Sequence, residues 1–138
     1  MKKILVGGCF DILHFGHITF LKQAKKLGDY LIVALESDEN VKRVKGDARP
    51  IHTQEQRKAI LKALNCIDEV IALPPMNNDQ KYITFVQKIH PTIIAVTDGD
   101  PILEKKKQQA NLVGATLIVI PKIRTPSTSQ LAKLLGLE

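Results

Sequence analysis

The feature that most constrains the fold is a regular alternation of strand-like and helix-like segments. The apolar runs of strand length lie at 4–6, 30–35, 69–73, 92–96 and 115–120. The intervening segments carry apolar residues at helical spacing, as in 15–27 and 102–113. Because strands joined by helices build right-handed βαβ units, the pattern predicts an α/β fold: an open parallel sheet of about five strands with helices on both faces.

Several residues predict where the helices begin and end. Ser37 is suited to start a short helix, and Thr53 followed by Gln56 matches a capping box. Gly28 is predicted to end the first helix as its C′ residue. Tyr82 is predicted to begin the helix that runs to residue 89.

Length and composition indicate the number of domains, the cellular location and the kinds of partner to expect. The 138 residues suit a single domain spanning 1–138. Cys9 and Cys66 lie far apart without metal-ligand spacing, which argues against a zinc site and suits a cytoplasmic location. No apolar run reaches the length of a membrane span. The net charge of +6 suits an anionic partner, but the few aromatic residues are not interleaved with the basic ones, so nucleic-acid binding is not expected.

The most informative stretch runs from Ile4 to His17 and reads ILVGGCFDILHFGH. Gly7 and Gly8, predicted as a tight turn, have no Cβ, so a phosphate group can lie against the backbone. The following helix start offers unpaired N–H groups and a positive dipole end, and His14 and His17 add side-chain donors. The stretch predicts a nucleotide-phosphate site, the alternative being that the histidines only satisfy a turn.

Other loops are predicted to share a rim with this stretch, because ligands of open α/β sheets bind outside the carboxyl ends of the strands. Ser127, Thr128 and Ser129 begin the last helix and offer a second anion cradle, with an ordinary helix cap as the alternative. The turn at 98–100 and the basic segment at 42–49 are predicted on the same rim.

These residues resemble a known family. GGCFDILHFGH is similar to the (T/C)-F-D-x-x-H-x-G-H signature of the nucleotidyltransferase superfamily that includes the cytidylyltransferases and pantetheine-phosphate adenylyltransferase. The segments LGDYLIVALESDENVKRVKGDARPI and EQR resemble the adenylyltransferase half of bacterial ADP-heptose synthases, and STSQL resembles the closing motif. The resemblance covers nearly the whole chain. It implies a Rossmann-like fold and an enzyme that transfers a nucleoside monophosphate from ATP or CTP to a phosphorylated small molecule, releasing pyrophosphate.

The resemblance also assigns roles to residues. The catalytic residues it implies are His14, His17, Ser127 and Thr128. The nucleotide-binding residues it implies are Gly7, Gly8, Cys9, Phe10, Gly16, Asp98, Gly99, Asp100, Arg124 and Ser129. The acceptor-binding residues it implies are Asp11, Lys45, Arg49 and Arg57, with Asp11 orienting the loop or the acceptor. Magnesium is the implied cofactor, with no side chain assigned to ligate it, and a homodimer is the implied assembly.

Several functions fit the resemblance. The first is AMP transfer from ATP to a sugar phosphate resembling heptose 1-phosphate, suggested by KGDARP and EQR. The rivals are an FMN adenylyltransferase, which makes FAD, and a glycerol-3-phosphate cytidylyltransferase. An alternative of another class is a catalytically silent nucleotide-binding module, against which the presence of both His14 and His17 argues.

Overall fold

A computed structural model describes residues 1–123 and 128–136 of the chain. Its strands are β1 (Lys3–Gly8), β2 (Tyr30–Leu35), β3 (Glu69–Ala72), β4 (Ile93–Thr97) and β5 (Thr116–Ile120). Its helices are α1 (Phe15–Lys25), α2 (Asp38–Lys45), α3 (Gln54–Lys62), α4 (Asp79–Ile89), α5 (Leu103–Val113) and α6 (Thr128–Leu134). None of the helices in the described ranges is long and apolar enough to cross a membrane.

The strands form one sheet in the order β3-β2-β1-β4-β5, and every neighbouring pair is parallel. The chain builds the sheet outward from β1 in one direction through β2 and β3, then continues on the other side with β4 and β5. The carboxyl ends of β1 and β4 therefore flank the point where the winding direction changes, which is where a ligand crevice opens in such sheets. The predicted Rossmann-like α/β fold is confirmed.

Each face of the sheet carries its own apolar core, because successive residues of a strand point to opposite faces. On one face Ile4 of β1 belongs to the same buried cluster as Leu21 of α1 and Leu61 of α3. On the other face Leu5 of β1 belongs to the cluster that includes Val86 of α4 and Ala110 of α5. The helices thus cover both faces, as predicted.

The predicted helix starts at Ser37 and Thr53 are confirmed. The Ser37 hydroxyl accepts a hydrogen bond from the Asn40 N–H at 3.1 Å, and Thr53 and Gln56 form the reciprocal capping box. α4 begins at residue 79 rather than 82, because the Asn78 side chain caps it by accepting the Lys81 N–H at 3.0 Å.

Two glycine predictions were wrong in detail. Gly7 and Gly8 are the last residues of β1 and pair with Ala34 and Leu35, so the strand continues through the predicted turn. Gly28 does not end α1, because Lys26 already closes that helix with an ordinary helical backbone. A Cβ at Gly28 would lie 2.6 Å from the Ile4 Cδ1 atom and 2.9 Å from the Lys2 carbonyl oxygen. Close packing is therefore what requires glycine at this position.

We predict that Gly28→Ala destabilises the protein by about 1–3 kcal/mol, the usual penalty for overpacking a core. Gly7→Ala is the control, since a Cβ there would have only the Ala34 carbonyl oxygen within 4 Å, at 3.7 Å. Urea unfolding of both variants measures the difference. Equal free energies of unfolding for Gly28→Ala and the parent chain would contradict this account.

Candidate active site

The loop between β1 and α1 has an unusual backbone. Phe10 and Ile12 have φ angles of 47° and 53°, in the left-handed region, although neither is glycine. Such a conformation costs roughly 1–2 kcal/mol per residue, so other contacts must hold the loop in place.

Asp11, between these two residues, supplies those contacts. Its Oδ2 atom accepts hydrogen bonds from Arg49 Nε at 2.9 Å and from the Ile51 N–H at 2.7 Å, and its Oδ1 atom accepts the His52 N–H at 3.0 Å. The side chains of Asp11 and Arg49 are 0% and 2% exposed. Burial acts to raise the pKa of Asp11, but the two N–H donors and the Arg49 guanidinium outweigh it and lower that pKa below its usual value. The carboxylate therefore stays charged and ties the loop to the segment before α3.

The two histidines cap the start of α1 reciprocally. His14 is the N-cap residue, and its Nδ1 atom accepts the Gly16 N–H at 3.1 Å. His17 Nδ1 in turn accepts the His14 N–H at 3.2 Å. A capping box normally pairs Ser or Thr with Glu or Gln. Here two imidazoles do the same work, so their positions are fixed by the helix start itself.

This capping determines which nitrogen of each ring carries a proton. Because both Nδ1 atoms accept hydrogen bonds, neutral His14 and His17 carry their protons on Nε2. The two ring centroids are 4.0 Å apart, and neither Nε2 atom has a hydrogen-bond partner in residues 1–123 and 128–136. Two N–H donors thus lie side by side at a helix N-terminus, which is an arrangement suited to phosphate oxygens.

Both rings are neutral at pH 7. Burial lowers the pKa of His17 from 6.5 to about 4, and the charges of His14 and Lys45 add to the effect. Burial also lowers the pKa of His14. A bound polyphosphate would act in the opposite direction, because a nearby negative charge favours the protonated ring.

Arg57 joins three segments of the rim. Its Nη1 atom donates to the Cys9 carbonyl at 2.7 Å, its Nη2 atom to Asp38 Oδ1 at 2.6 Å, and its Nε atom to the His52 carbonyl at 3.0 Å. The side chain is fully buried, whereas that of Asp38 is 48% exposed. The end of β1, the start of α2 and the segment before α3 are therefore held together by one guanidinium.

The predicted acceptor-binding residues thus divide into two kinds. Asp11, Arg49 and Arg57 are buried and bonded to other parts of the chain, so in this structure they act as positioning residues. Lys45 is exposed at the end of α2, and its charge acts to lower the pKa of His17. A direct contact between any of the four residues and an acceptor stays a prediction.

Cys9 lies on the same rim, and its thiol is not poised for nucleophilic chemistry. Burial raises its pKa, although the charges of Lys45, Arg57 and Arg49 act to lower it and that of Glu36 acts to raise it. The thiol is therefore neutral at pH 7.

One polar cluster on the rim was missed by sequence reasoning. Glu36, just after β2, accepts hydrogen bonds from the Tyr82 hydroxyl at 2.8 Å and from Asn40 Nδ2 at 3.0 Å. Asn40 Nδ2 also donates to the Met76 carbonyl at 3.1 Å. Burial, together with the Glu36 hydrogen bond, raises the pKa of Tyr82. The cluster fixes α2 against the loop after β3, and its only sequence signal is a charged residue directly after an apolar strand.

The loop after β4 also lies on the rim. The Asp100 carboxylate pairs with Lys106 Nζ at 2.7 Å and accepts the Ile102 N–H at 2.9 Å, so it serves to start α5. Asp98 and Gly99 are exposed. Their predicted contact with a nucleotide stays a prediction.

The predictions for the last helix mostly lie outside the described residues. Arg124 and Ser127 belong to the part of the chain that the structure does not describe. Thr128 and Ser129 are the first residues of α6, but their side chains also lie outside the description. The second anion cradle therefore stays a prediction.

Most of the chain is similar to known proteins. Residues 5–130 match the family model described as cytidylyltransferase-like. The bifunctional protein HldE of Shewanella baltica (strain OS155) is 43% identical over 116 residues, covering 83% of this chain and 23% of HldE. The same-named protein of Helicobacter pylori (strain J99) is 37% identical over 118 residues, covering 86% of this chain and 24% of that protein. The chain thus spans about a quarter of the length of these curated relatives.

Solved structures agree with this match. The crystal structure of the lipopolysaccharide core biosynthesis protein from Thermoplasma volcanium has a TM-score of 0.72 and 28% identity, covering 91% of this chain and 98% of that one. Pantoate-beta-alanine ligase from Francisella tularensis has a TM-score of 0.64 and 20% identity, covering 96% of this chain and 65% of that one. At that identity the second likeness concerns the fold alone.

We predict that Arg57→Met destabilises the protein by about 2–4 kcal/mol, because it leaves the Cys9 and His52 carbonyls without their donor. Asp38→Asn is the matched control and should cost less than about 1 kcal/mol, since its half-exposed side chain keeps an acceptor oxygen. Urea unfolding measures both. The assignment of Arg57 as the main tie fails if the two variants are equally stable.

We also predict that His17 makes stability depend on pH. Unfolded His17 takes up a proton below pH 6.5, whereas folded His17, with its pKa of about 4, does not. The free energy of unfolding should therefore fall as the pH is lowered from 6.5 to 4, by about 2 kcal/mol from this residue. His17→Asn keeps an acceptor for the helix cap but cannot titrate. Urea unfolding at pH 7 and pH 4.5 should show a smaller loss for this variant, and an equal loss would refute the prediction.

Proposed function

Because the chain belongs to the cytidylyltransferase-like family, we propose that it is a nucleotidyltransferase that moves AMP from ATP to a phosphorylated small molecule and releases pyrophosphate. The observation that carries the proposal is the reciprocal cap of His14 and His17, which aligns two Nε2–H donors at the start of α1. Ser or Thr with Glu or Gln would be enough to cap the helix, whereas two imidazoles also present N–H donors that suit phosphate oxygens.

The residues suit this reaction in a simple way. An oxygen of the acceptor phosphate attacks the α-phosphorus, and the bond from that phosphorus to the bridging oxygen breaks as pyrophosphate leaves. The attacking oxygen is already ionised at neutral pH, so no general base is required. What the reaction requires is donors and positive charge around the phosphates, where negative charge spreads in the transition state. We assign that role to His14, His17, Lys45 and the N–H groups at the start of α1.

We further propose that Mg²⁺ accompanies the triphosphate. Within the described ranges no group of three or more His, Cys, Asp or Glu side chains could hold a metal ion. Mg²⁺ in nucleotide sites is commonly bound by substrate phosphates, waters and one or two carboxylates, so its fit here rests mainly on the phosphates. When bound, it would neutralise part of the phosphate charge. The chain's own contribution would be the donors that orient the phosphates.

For the acceptor we propose a sugar phosphate resembling heptose 1-phosphate. The similarity of the segment after β2 to ADP-heptose synthases supports it, as does the likeness to a solved lipopolysaccharide core biosynthesis protein. The rivals are FMN with ATP and glycerol 3-phosphate with CTP. Pyrophosphate release with each nucleotide and acceptor pair, in the presence of magnesium, decides among them.

The same assay tests the alternative of another class. A catalytically silent nucleotide-binding module would bind ATP, as measured by calorimetry, yet release no pyrophosphate with any acceptor. That outcome would overturn the enzyme assignment.

The homodimer and the cytoplasmic location also remain proposals, supported by the family resemblance and by the absence of metal or disulfide spacing at the cysteines. Light scattering coupled to size-exclusion chromatography measures the first. Fractionation of the source cells measures the second.

We predict that His17→Ala and His17→Asn each lower kcat by about 10²–10³-fold, the usual effect of removing one transition-state donor. His17→Asn is the sharper variant because its amide oxygen can still accept the His14 N–H and keep the helix cap. His90→Asn is the control, since His90 closes α4 just before β4, at the amino ends of the strands and away from the predicted site. Steady-state pyrophosphate release gives the comparison. Unchanged turnover in both His17 variants would show that this residue is misassigned.

A further inference from the structure

His52 lies between the two buried charge clusters of the rim. Its N–H donates to Asp11 Oδ1 at 3.0 Å, and its carbonyl accepts from Arg57 Nε at 3.0 Å. Both backbone groups are therefore fixed by residues that hold the β1–α1 loop. The backbone of His52 is consequently as well fixed as that loop.

One nitrogen of the His52 ring is buried, although the side chain as a whole is partly exposed. Its Nδ1 atom is buried, has no hydrogen-bond partner in the part of the chain that the structure describes, and lies 3.9 Å from Asp11 Oδ1. The side chain as a whole is nevertheless 41% exposed. Since Nδ1 is buried, the exposed surface belongs to the other atoms of the side chain, among which Nε2 is the polar one.

A buried nitrogen beside a carboxylate indicates how the ring is oriented. A carboxylate oxygen can accept more than one hydrogen bond, so a proton on Nδ1 faces a suitable acceptor in Asp11. The charged groups around the ring are Asp11, the Arg49 guanidinium paired with it, and the Arg57 guanidinium bonded to the His52 carbonyl. With a proton on Nδ1 near Asp11, Nε2 is the polar atom of the ring that is left to interact with a ligand.

We propose that His52 binds the phosphate of the acceptor through Nε2, while Asp11 fixes the residue by accepting its backbone N–H. The proposal rests on the proposed function and deepens it. A phosphate monoester near neutral pH shares its last proton readily. Nε2 and a non-bridging phosphate oxygen can share that proton in one hydrogen bond. His52 thus contacts a non-attacking oxygen and leaves the attacking one free.

Two substitutions separate the two nitrogens of the ring. His52→Asn places an amide near the Nδ1 position and removes the Nε2 group, whereas His52→Gln reaches the Nε2 position and gives up the group near Asp11. We expect His52→Asn to raise the KM for the phosphorylated acceptor about tenfold or more, the effect of losing a hydrogen bond to a charged group. We expect His52→Gln to raise it less. The KM for ATP should stay within about twofold in both variants.

A second measurement does not depend on turnover. The Cε1–Hε1 resonances of the four histidines are followed by NMR while inorganic phosphate is added to the parent chain saturated with a non-hydrolysable ATP analogue. The His52 resonance should shift and saturate. The His90 resonance, from the amino ends of the strands, should not move. The analogue occupies the triphosphate site, so the remaining phosphate effect reports on the acceptor side.

The outcomes are distinct. A saturating shift of His52 together with a raised acceptor KM in His52→Asn supports the proposal. It is overturned if phosphate leaves the His52 resonance unmoved, or if His52→Asn changes the KM for ATP and not that for the acceptor. Failure of the parent chain to release pyrophosphate with any pair would overturn the proposed function instead, while the NMR titration would still decide whether His52 binds phosphate.

Discussion

The geometry of the rim depends on one buried carboxylate, that of Asp11. It lies between two residues in left-handed backbone conformations, so without it the β1–α1 loop would relax to a less strained path. A buried charge is stable only when it is well paired, and Arg49 Nε and two backbone N–H groups provide that pairing. The loop that carries the histidines is thereby ordered before any nucleotide binds. Such preorganisation is what makes fixed donors effective in catalysis.

Buried polar contacts also position the segments on the proposed acceptor side of the site. Arg57 binds the carbonyl of Cys9, at the loop of the phosphate donors, and the carboxylate of Asp38, at the start of the helix that ends in Lys45. The Glu36 cluster also holds that helix, through the side chain of Asn40. The placement of α2, which ends in Lys45, relative to the histidine loop is therefore set by these polar contacts and not by the exposed Lys45 side chain. The residues that we propose to contact the substrates and the residues that position them are therefore different sets.

This division explains what the sequence could predict. Strand and helix positions follow from local periodicity, and the phosphate site follows from glycines and histidines that are neighbours in the chain. The acceptor contacts that the family resemblance implies for Arg49 and Arg57 stay predictions, but the buried contacts of both residues could not be predicted, because each has a partner that is 19 or more residues away. Gly28 is likewise required because of close contacts with Lys2 and Ile4, which are distant from it in the sequence. Local patterns carry no record of such distant contacts.

The protonation of the histidine pair gives the site a further property. Two imidazolium rings with centroids 4.0 Å apart would repel each other, and burial opposes the charge on each, so the free site is neutral. Neutral Nε2–H groups still donate to phosphate oxygens. In the proposed reaction, negative charge grows on those oxygens in the transition state, and the electrostatic gain rises because the donors are fixed. In the proposed reaction a doubly charged site would bind the ground-state triphosphate more tightly, and the neutrality of the free rings avoids that extra ground-state stabilisation, which would not raise turnover.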